Sequence, residues 1–215
     1  MRHIFVILYS TAVHSNFIQL TINNTFFFIF WQIGSGAFSV VKKGTLKETG
    51  ESYAIKIVNR KSLDKALESA LRDEILILNE IKHNHIMRLY DTFATKNTCY
   101  LVTEYLEGGE LFDRIVQKST YSENEARDVC KTLFGAMKYL HDKRIAHRDL
   151  KPENLLLQYK DSDLELKIAD FGFARNAPTE HSLKTVCGSP GKNFVIPTEV
   201  IFSPCLSNLM LILLF

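Results

Sequence analysis

The sequence predicts a mixed α+β chain. Three observations point to it: a glycine-rich turn flanked by apolar stretches, a segment of strand period soon after it, and long amphipathic runs of helical period. A chain of 215 residues suffices for one core or for two small lobes sharing a cleft. Basic and acidic residues nearly balance, 26 against 24, which argues against a general nucleic-acid binder. Four cysteines, Cys99, Cys130, Cys187 and Cys205, form no C-x-x-C pair and have no histidine at zinc spacing. They read as reduced thiols, and the expected location is cytoplasmic.

The two ends differ from the middle. Met1 to Trp31 is apolar and aromatic, with Phe26-Phe27-Phe28-Ile29-Phe30 and only Arg2 charged apart from two histidines. Ile4 to Tyr9 is short for a signal core, and Ser15, Asn16, Gln19, Asn23 and Asn24 interrupt the ~20 apolar residues that a spanning helix needs. Residues 1–32 are therefore expected to be an apolar leader, with a membrane role disfavoured. The tail from Lys192 ends in Leu209-Met210-Leu211-Ile212-Leu213-Leu214-Phe215, a run too short to cross a bilayer.

In chain order, Ile33-Gly34-Ser35-Gly36-Ala37-Phe38-Ser39-Val40-Val41 reads as a hairpin whose backbone can approach a ligand. No Lys-Ser/Thr pair follows at P-loop spacing. Alternation over Ser52–Val58 predicts a strand with Lys56 on the face of Ala54 and Val58, opposite Tyr53, Ile55 and Ile57. On that pattern alone, Lys56 could be an ordinary surface lysine with a buried stem. Leu67, Leu71, Ile75 and Leu78 mark an amphipathic helix from about Leu63 to Lys82, on which Glu74 reads by composition as a solvated charge. His83 and His85 flank a turn.

Cys99-Tyr100-Leu101-Val102-Thr103-Glu104 is a buried strand, and Gly108-Gly109 ends the linker after it. Glu110 opens a short helix, where an acidic side chain also suits the helix dipole. Ser122-Glu123-Asn124-Glu125 is a capping box. It starts a helix whose buried stripe is Ala126, Val129, Cys130, Leu133, Met137 and Leu140.

The most informative stretch is His147-Arg148-Asp149-Leu150-Lys151-Pro152-Glu153-Asn154, followed by Asp170-Phe171-Gly172. It combines a proton-accepting acid, neighbouring cations, an amide oxygen and a second acid, the inventory of phosphoryl transfer from a metal-bound nucleotide. A carboxylate pair also suits glycoside hydrolysis, but that chemistry gives no purpose to Lys151, Asn154, the glycine turn or Lys56.

From Ile33 to Gly191 the chain closely resembles eukaryotic protein kinases of the serine/threonine type. Gly108 to Ile115 and Lys151 to Leu157 are most similar to the calcium/calmodulin-dependent kinase group. The resemblance implies a two-lobe fold, with residues 33–107 as small lobe and hinge, 108–191 as a partial large lobe and 192–215 as a divergent tail. It implies that Ile33, Gly34, Ser35, Gly36, Ala37, Phe38, Ser39 and Val41 cover ATP, with Ser39 replacing the family's third glycine. Ala54, the gatekeeper Thr103, and Glu104 and Leu106 of the hinge would line the adenine site.

By the same resemblance, Lys56 contacts the α- and β-phosphates and Glu74 orients it, while Glu110 and Glu153 lie on the nucleotide and substrate side. Asp149 takes the substrate hydroxyl proton, Lys151 steadies the transferring charge, and Asn154 and Asp170 bind Mg²⁺. Thr185 matches an activation-loop site for an upstream kinase, where a phosphate could pair with Arg148. A protein is the implied substrate.

Past Gly191 the sequence Lys192-Asn193-Phe194-Val195-Ile196-Pro197-Thr198-Glu199 departs from the family pattern. Two expectations of different class follow: an active serine/threonine kinase, or an inactive fragment that at most binds nucleotide or a protein partner.

Overall fold

The computed structural model describes residues 7–9, 18–22, 25–118 and 121–176. Thr185 and the tail from Lys192 lie outside the described residues. The chain divides into two compact units, Met1–Ser69 with Arg88–Tyr105, and Ala70–Met87 with Leu106–Phe215.

The first unit is built on an antiparallel sheet. Its strands are β1 (Ile7–Tyr9), β2 (Ile18–Ile22), β3 (Thr25–Gly36), β4 (Ser39–Leu46), β5 (Ser52–Asn59), β6 (Leu89–Ala94) and β7 (Thr98–Glu104), in the order β1-β2-β3-β4-β5-β7-β6. A two-residue turn, Ala37-Phe38, joins β3 to β4 and pairs Gly36 with Ser39. This is the glycine-rich hairpin that the sequence predicts.

One face of the sheet packs Phe27, Ile29, Ile55, Phe93, Tyr100 and Val102 into a core, with Leu46, Tyr53 and Ile57 half-buried against it. The alternation of β5 is therefore as read, with Tyr53, Ile55 and Ile57 on the packed side. Burial and the hydrogen bond from the Tyr53 hydroxyl to Glu51, 2.8 Å, push the Tyr53 phenol up to about 12.

The expected leader boundary needs correction. β3 crosses residue 32 without a break, and Phe27 and Ile29 are 5% and 3% exposed. The aromatic run that looks like a uniform apolar leader alternates across a strand, so every second residue enters the core.

In the second unit most of the secondary structure is helical. It contains most of α1 (Lys65–Glu80), α2 (Leu111–Lys118) and α3 (Glu123–Asp142). The strands here are short: β8 (Gly109–Glu110), β9 (Ile145–Ala146), β10 (Leu155–Leu157), β11 (Leu166–Ile168) and β12 (Arg175–Asn176). They form a sheet in the order β11-β10-β8 and a β12-β9 pair. A sheet in one unit and helices concentrated in the other is the α+β class that the sequence predicts.

Helix α1 is shorter than the predicted span because Asp64 Oδ1 accepts from Leu67 N at 2.8 Å and sets its start. Its buried residues are Leu71, Glu74, Ile77 and Leu78. The reading of Glu74 as a solvated charge is thereby overturned, since it is 4% exposed. Leu76 instead faces out, at 67%.

The segment after α1 docks onto α3 and β11. Lys82 N donates to the Tyr139 hydroxyl at 2.9 Å, the His83 ring lies 4.8 Å from the Tyr139 ring, and Ile168 N donates to His85 O at 3.0 Å.

The capping box forms as read. Ser122 Oγ accepts from Glu125 N at 3.2 Å, while Ser122 N donates to Glu125 Oε2 at 2.8 Å. Ala126, Val129, Leu133, Ala136 and Leu140 are buried along α3. Ala136 thus takes the inward position expected for Met137, which with Cys130 is half-buried. Helix α2 is moored by Asp163, which accepts from Arg114 at 3.0 Å, from the Tyr121 hydroxyl at 2.6 Å and from Lys118. Burial opposes the Asp163 charge, but the bonds from Lys118 and Tyr121 outweigh it and hold the carboxyl below its usual range.

The stripe gives a direct test. Leu133→Ala, at a position 1% exposed, is expected to cost about 2–5 kcal/mol in urea unfolding. Leu76→Ala should change stability by less than about 0.5 kcal/mol.

Candidate active site

Strand register gathers the residues of the first unit that sequence reasoning singles out. Gly34 pairs with Val41, Val41 with Lys56, and Lys56 with Leu101 across four strands. One step along, Lys43 pairs with Ala54 and Ala54 with Thr103, whose hydroxyl donates to Ala54 O at 3.3 Å. Directly paired residues share a face. Val41, Ala54, Lys56 and Thr103 therefore lie on one side of the sheet, opposite the Phe27–Ile55 core. Ile33 and Phe38, before and within the hairpin turn, are 41% and 40% exposed. Glu104 Oε1 accepts from Arg88 N at 2.7 Å at the end of β7.

The chemistry-bearing cluster of the second unit grows from the β10–β11 hairpin. Leu155 pairs with Ile168, so Asn154 and Ala169 flank the end of the ladder, and Ala169 N donates to Asn154 O at 2.8 Å. That bond fixes Asn154 beside the residue preceding Asp170. A single helical turn of the tight 3-10 type, Pro152–Asn154, carries Glu153 and turns Asn154 inward. Glu110 sits on β8, paired with Leu156.

Asp149, 5% exposed, is held from two sides. Its Oδ2 accepts from Lys151 Nζ at 2.7 Å and from Asn154 Nδ2 at 3.3 Å, and Asn154 Nδ2 also donates to Asp149 O at 2.8 Å. With its amide nitrogen aimed at Asp149, Asn154 presents its oxygen elsewhere. Asp170 and Arg148 both adopt left-handed backbone, φ 58° and 65°. Asp170 Oδ1 accepts from Gly172 N at 3.4 Å, and a Cβ on Gly172 would stand 3.3 Å from that oxygen and 3.9 Å from Glu74 Oε2. Glu74 and Asp170 thus share one neighbourhood with the chain reversal at Gly172.

Two structural residues carry no role in the sequence reading. His147, 8% exposed, accepts at Nδ1 from Asp149 N at 3.3 Å, and its Nε2 donates to Ala169 O at 3.0 Å. Phe171, with no exposure, meets the His147 ring edge-on at 4.8 Å. An aromatic ring in each motif was the available signal. Arg148, read as a phosphate partner, donates from Nε to Phe173 O at 2.8 Å. Arg175 lies 3.4 Å from Asp73 of α1.

Lys56 belongs to the first unit, while Glu74, Asp149, Asn154 and Asp170 belong to the second. A model of the protein kinase domain matches residues 28–203.

The chain belongs to the protein kinase family. It is 45% identical over 166 residues to myosin light chain kinase A of Dictyostelium discoideum, covering 77% of this chain and 56% of that protein. It is 45% identical to the calcium/calmodulin-dependent protein kinase cmkB of Emericella nidulans, over 74% of this chain and 40% of the relative. Against calcium/calmodulin-dependent protein kinase type IV of Mus musculus the identity is also 45%, over 77% and 34%. The chain thus spans about half the length, or less, of these curated relatives. The kinase-domain match begins before residue 33 and runs on past Gly191.

Burial lowers the His147 pKa below its ordinary 6.5, although the Ala169 carbonyl, Asp170 and Asp149 pull the other way. A depressed folded value means that the unfolded chain binds the proton first. This contribution to stability is therefore complete above pH 6.5 and is lost as the pH falls from there through the folded value. His147→Gln is expected to flatten the slope of unfolding free energy against pH below 6.5, leaving the part due to His83, which burial also depresses.

Proposed function

We propose that this kinase domain transfers the γ-phosphoryl group of ATP to serine or threonine hydroxyls of a protein substrate. The observation that carries the reading is the buried Asp149 carboxylate, gripped by Lys151 and Asn154 one backbone hydrogen bond from Ala169 and Asp170. In this reading Asp149 accepts the hydroxyl proton as the oxygen attacks. Lys151 lies alongside, where a cation offsets charge spread over the moving phosphoryl oxygens. Burial of the Asp149 carboxylate beside the half-buried Lys151 limits the water that competes for the same donors.

The donor set suits Mg²⁺. Asn154 and Asp170 offer amide and carboxylate oxygens, the hard ligands that this ion takes. Among the described residues no three His, Cys, Asp or Glu side chains gather into a metal cage. Mg²⁺ characteristically binds through one or two protein oxygens with phosphates and water supplying the rest. When bound it would neutralise the phosphate charge.

Lys56, Ala54, Val41 and the hairpin at Gly34 to Ser39 are assigned to the phosphates and adenine, with Thr103, Glu104 and Leu106 at the inner edge. Glu110 and Glu153 are assigned to the ribose or to a basic substrate side chain. Phosphorylation of Thr185 by an upstream kinase remains part of the proposal.

The test is a phosphotransfer assay with ATP, Mg²⁺ and a basic serine peptide. Asp149→Asn is expected to lower kcat by about 10²–10⁴-fold with little change in nucleotide affinity. Asp170→Asn is expected to abolish the Mg²⁺-dependent part of the rise in Tm that ATP produces. Unchanged turnover in Asp149→Asn would overturn the reading.

A further inference from the structure

The linker following β7 is fastened to the strand that leaves Asn154. Gly108 N donates to Leu157 O at 3.0 Å and Glu107 N to Gln158 O at 3.3 Å. β8 continues the pairing, with Gly109 opposite Leu157 and Glu110 opposite Leu156.

At Gly108 there is no room for a side chain. A Cβ would lie 2.6 Å from Leu157 Cβ and 2.7 Å from Leu157 O, and closer still to the Tyr159 carbonyl oxygen. Two of these three neighbours are backbone atoms, so a change of rotamer cannot relieve the contact. Gly109 is a different case. Its φ of 76° favours glycine, yet a Cβ there would meet nothing within 4 Å. The close approach is thus a property of residue 108, and the conformation a property of residue 109.

Strand β10 has β8 on one edge and β11 on the other, and Asn154 and Ala169 flank the β10–β11 end. A continuous hydrogen-bonded ladder therefore runs from Gly108 to Asn154 and to the residue before Asp170. A shift of the linker away from β10 would move Leu106 and Glu110 relative to both.

We propose that Gly108 is a positioning residue for nucleotide binding: its missing side chain lets the linker seat on β10, which sets Leu106 and Glu110 in register with Asn154 and Asp170. The inference rests on the kinase reading above, and it concerns binding rather than phosphoryl transfer.

The experiment uses the whole chain, measures the Kd of MgATP by calorimetry and kcat with the basic peptide, and follows amide exchange across residues 106–110 by mass spectrometry. Gly108→Ala is expected to speed exchange there and to raise the Kd on the order of tenfold, with kcat at saturating ATP within about twofold. Faster exchange with an unchanged Kd would make the docking merely structural and overturn the proposal, as would a fall in kcat alone. If Gly108→Ala does not fold, Glu107→Pro removes the donor to Gln158 without adding an atom at 108. A smaller rise in Kd supports the proposal, and an unchanged one overturns it. A wild-type chain that binds no MgATP overturns the kinase reading and this inference together, whereas equal affinity in wild type and variant overturns this inference alone.

Discussion

Burying the Asp149 carboxylate is the constraint on which the rest of the His147–Asn154 segment depends. A carboxylate removed from water must find donors or give up its charge. Lys151 Nζ and Asn154 Nδ2 supply them, and each has a further reason to be where it is. Lys151 follows Asp149 by two residues on a loop that returns through Pro152, and Asn154 is secured by its backbone to Ala169. Removing Lys151 would take the ion-pair partner from a buried acid, a cost on the order of several kcal/mol.

The loop holds this arrangement through backbone that most residues avoid. Arg148 and Asp170 are both left-handed without being glycine, a conformation that costs roughly 1–3 kcal/mol each and persists where surroundings over-determine it. Those surroundings are identifiable. Arg148 is tied to Phe173 O, His147 bridges Asp149 N and Ala169 O, and Phe171 wedges against the His147 ring. The two motifs, separated in sequence by residues 155–169, are thus one structural object. The β10–β11 hairpin closes them together, and the buried histidine is the pin between them.

The sheet of the first unit shows the same division of labour in simpler form. One face is a packed core, and its opposite face is where register aligns Gly34, Val41 and Lys56 in one row and Ala54 and Thr103 in the next. The alternation of Ser52 to Val58 discloses both faces of β5, because strand period leaves no third choice. It discloses nothing about which residues of β4 and β7 stand beside Lys56, since register is set by pairing. The leader boundary failed for a related reason. Five consecutive apolar residues, Phe26 to Phe30, hide their own alternation, and only the partners on β2 and β4 reveal it.

The sequence by itself determined which residue types are present and their order: the glycine hairpin, the strand lysine, the capped helix, the acid Asp149 with Lys151 and Asn154 after it, and the second acid Asp170. These are local patterns, carried by residue type and spacing. Tertiary structure alone decided that Glu74 is buried and not solvated, that Ala136 and not Met137 faces inward, that His147 joins the two acidic motifs, and that Gly108 must lack a side chain. Each of those depends on what another part of the chain brings within a few ångströms, and burial and close approach have no signature in the spacing of a single segment.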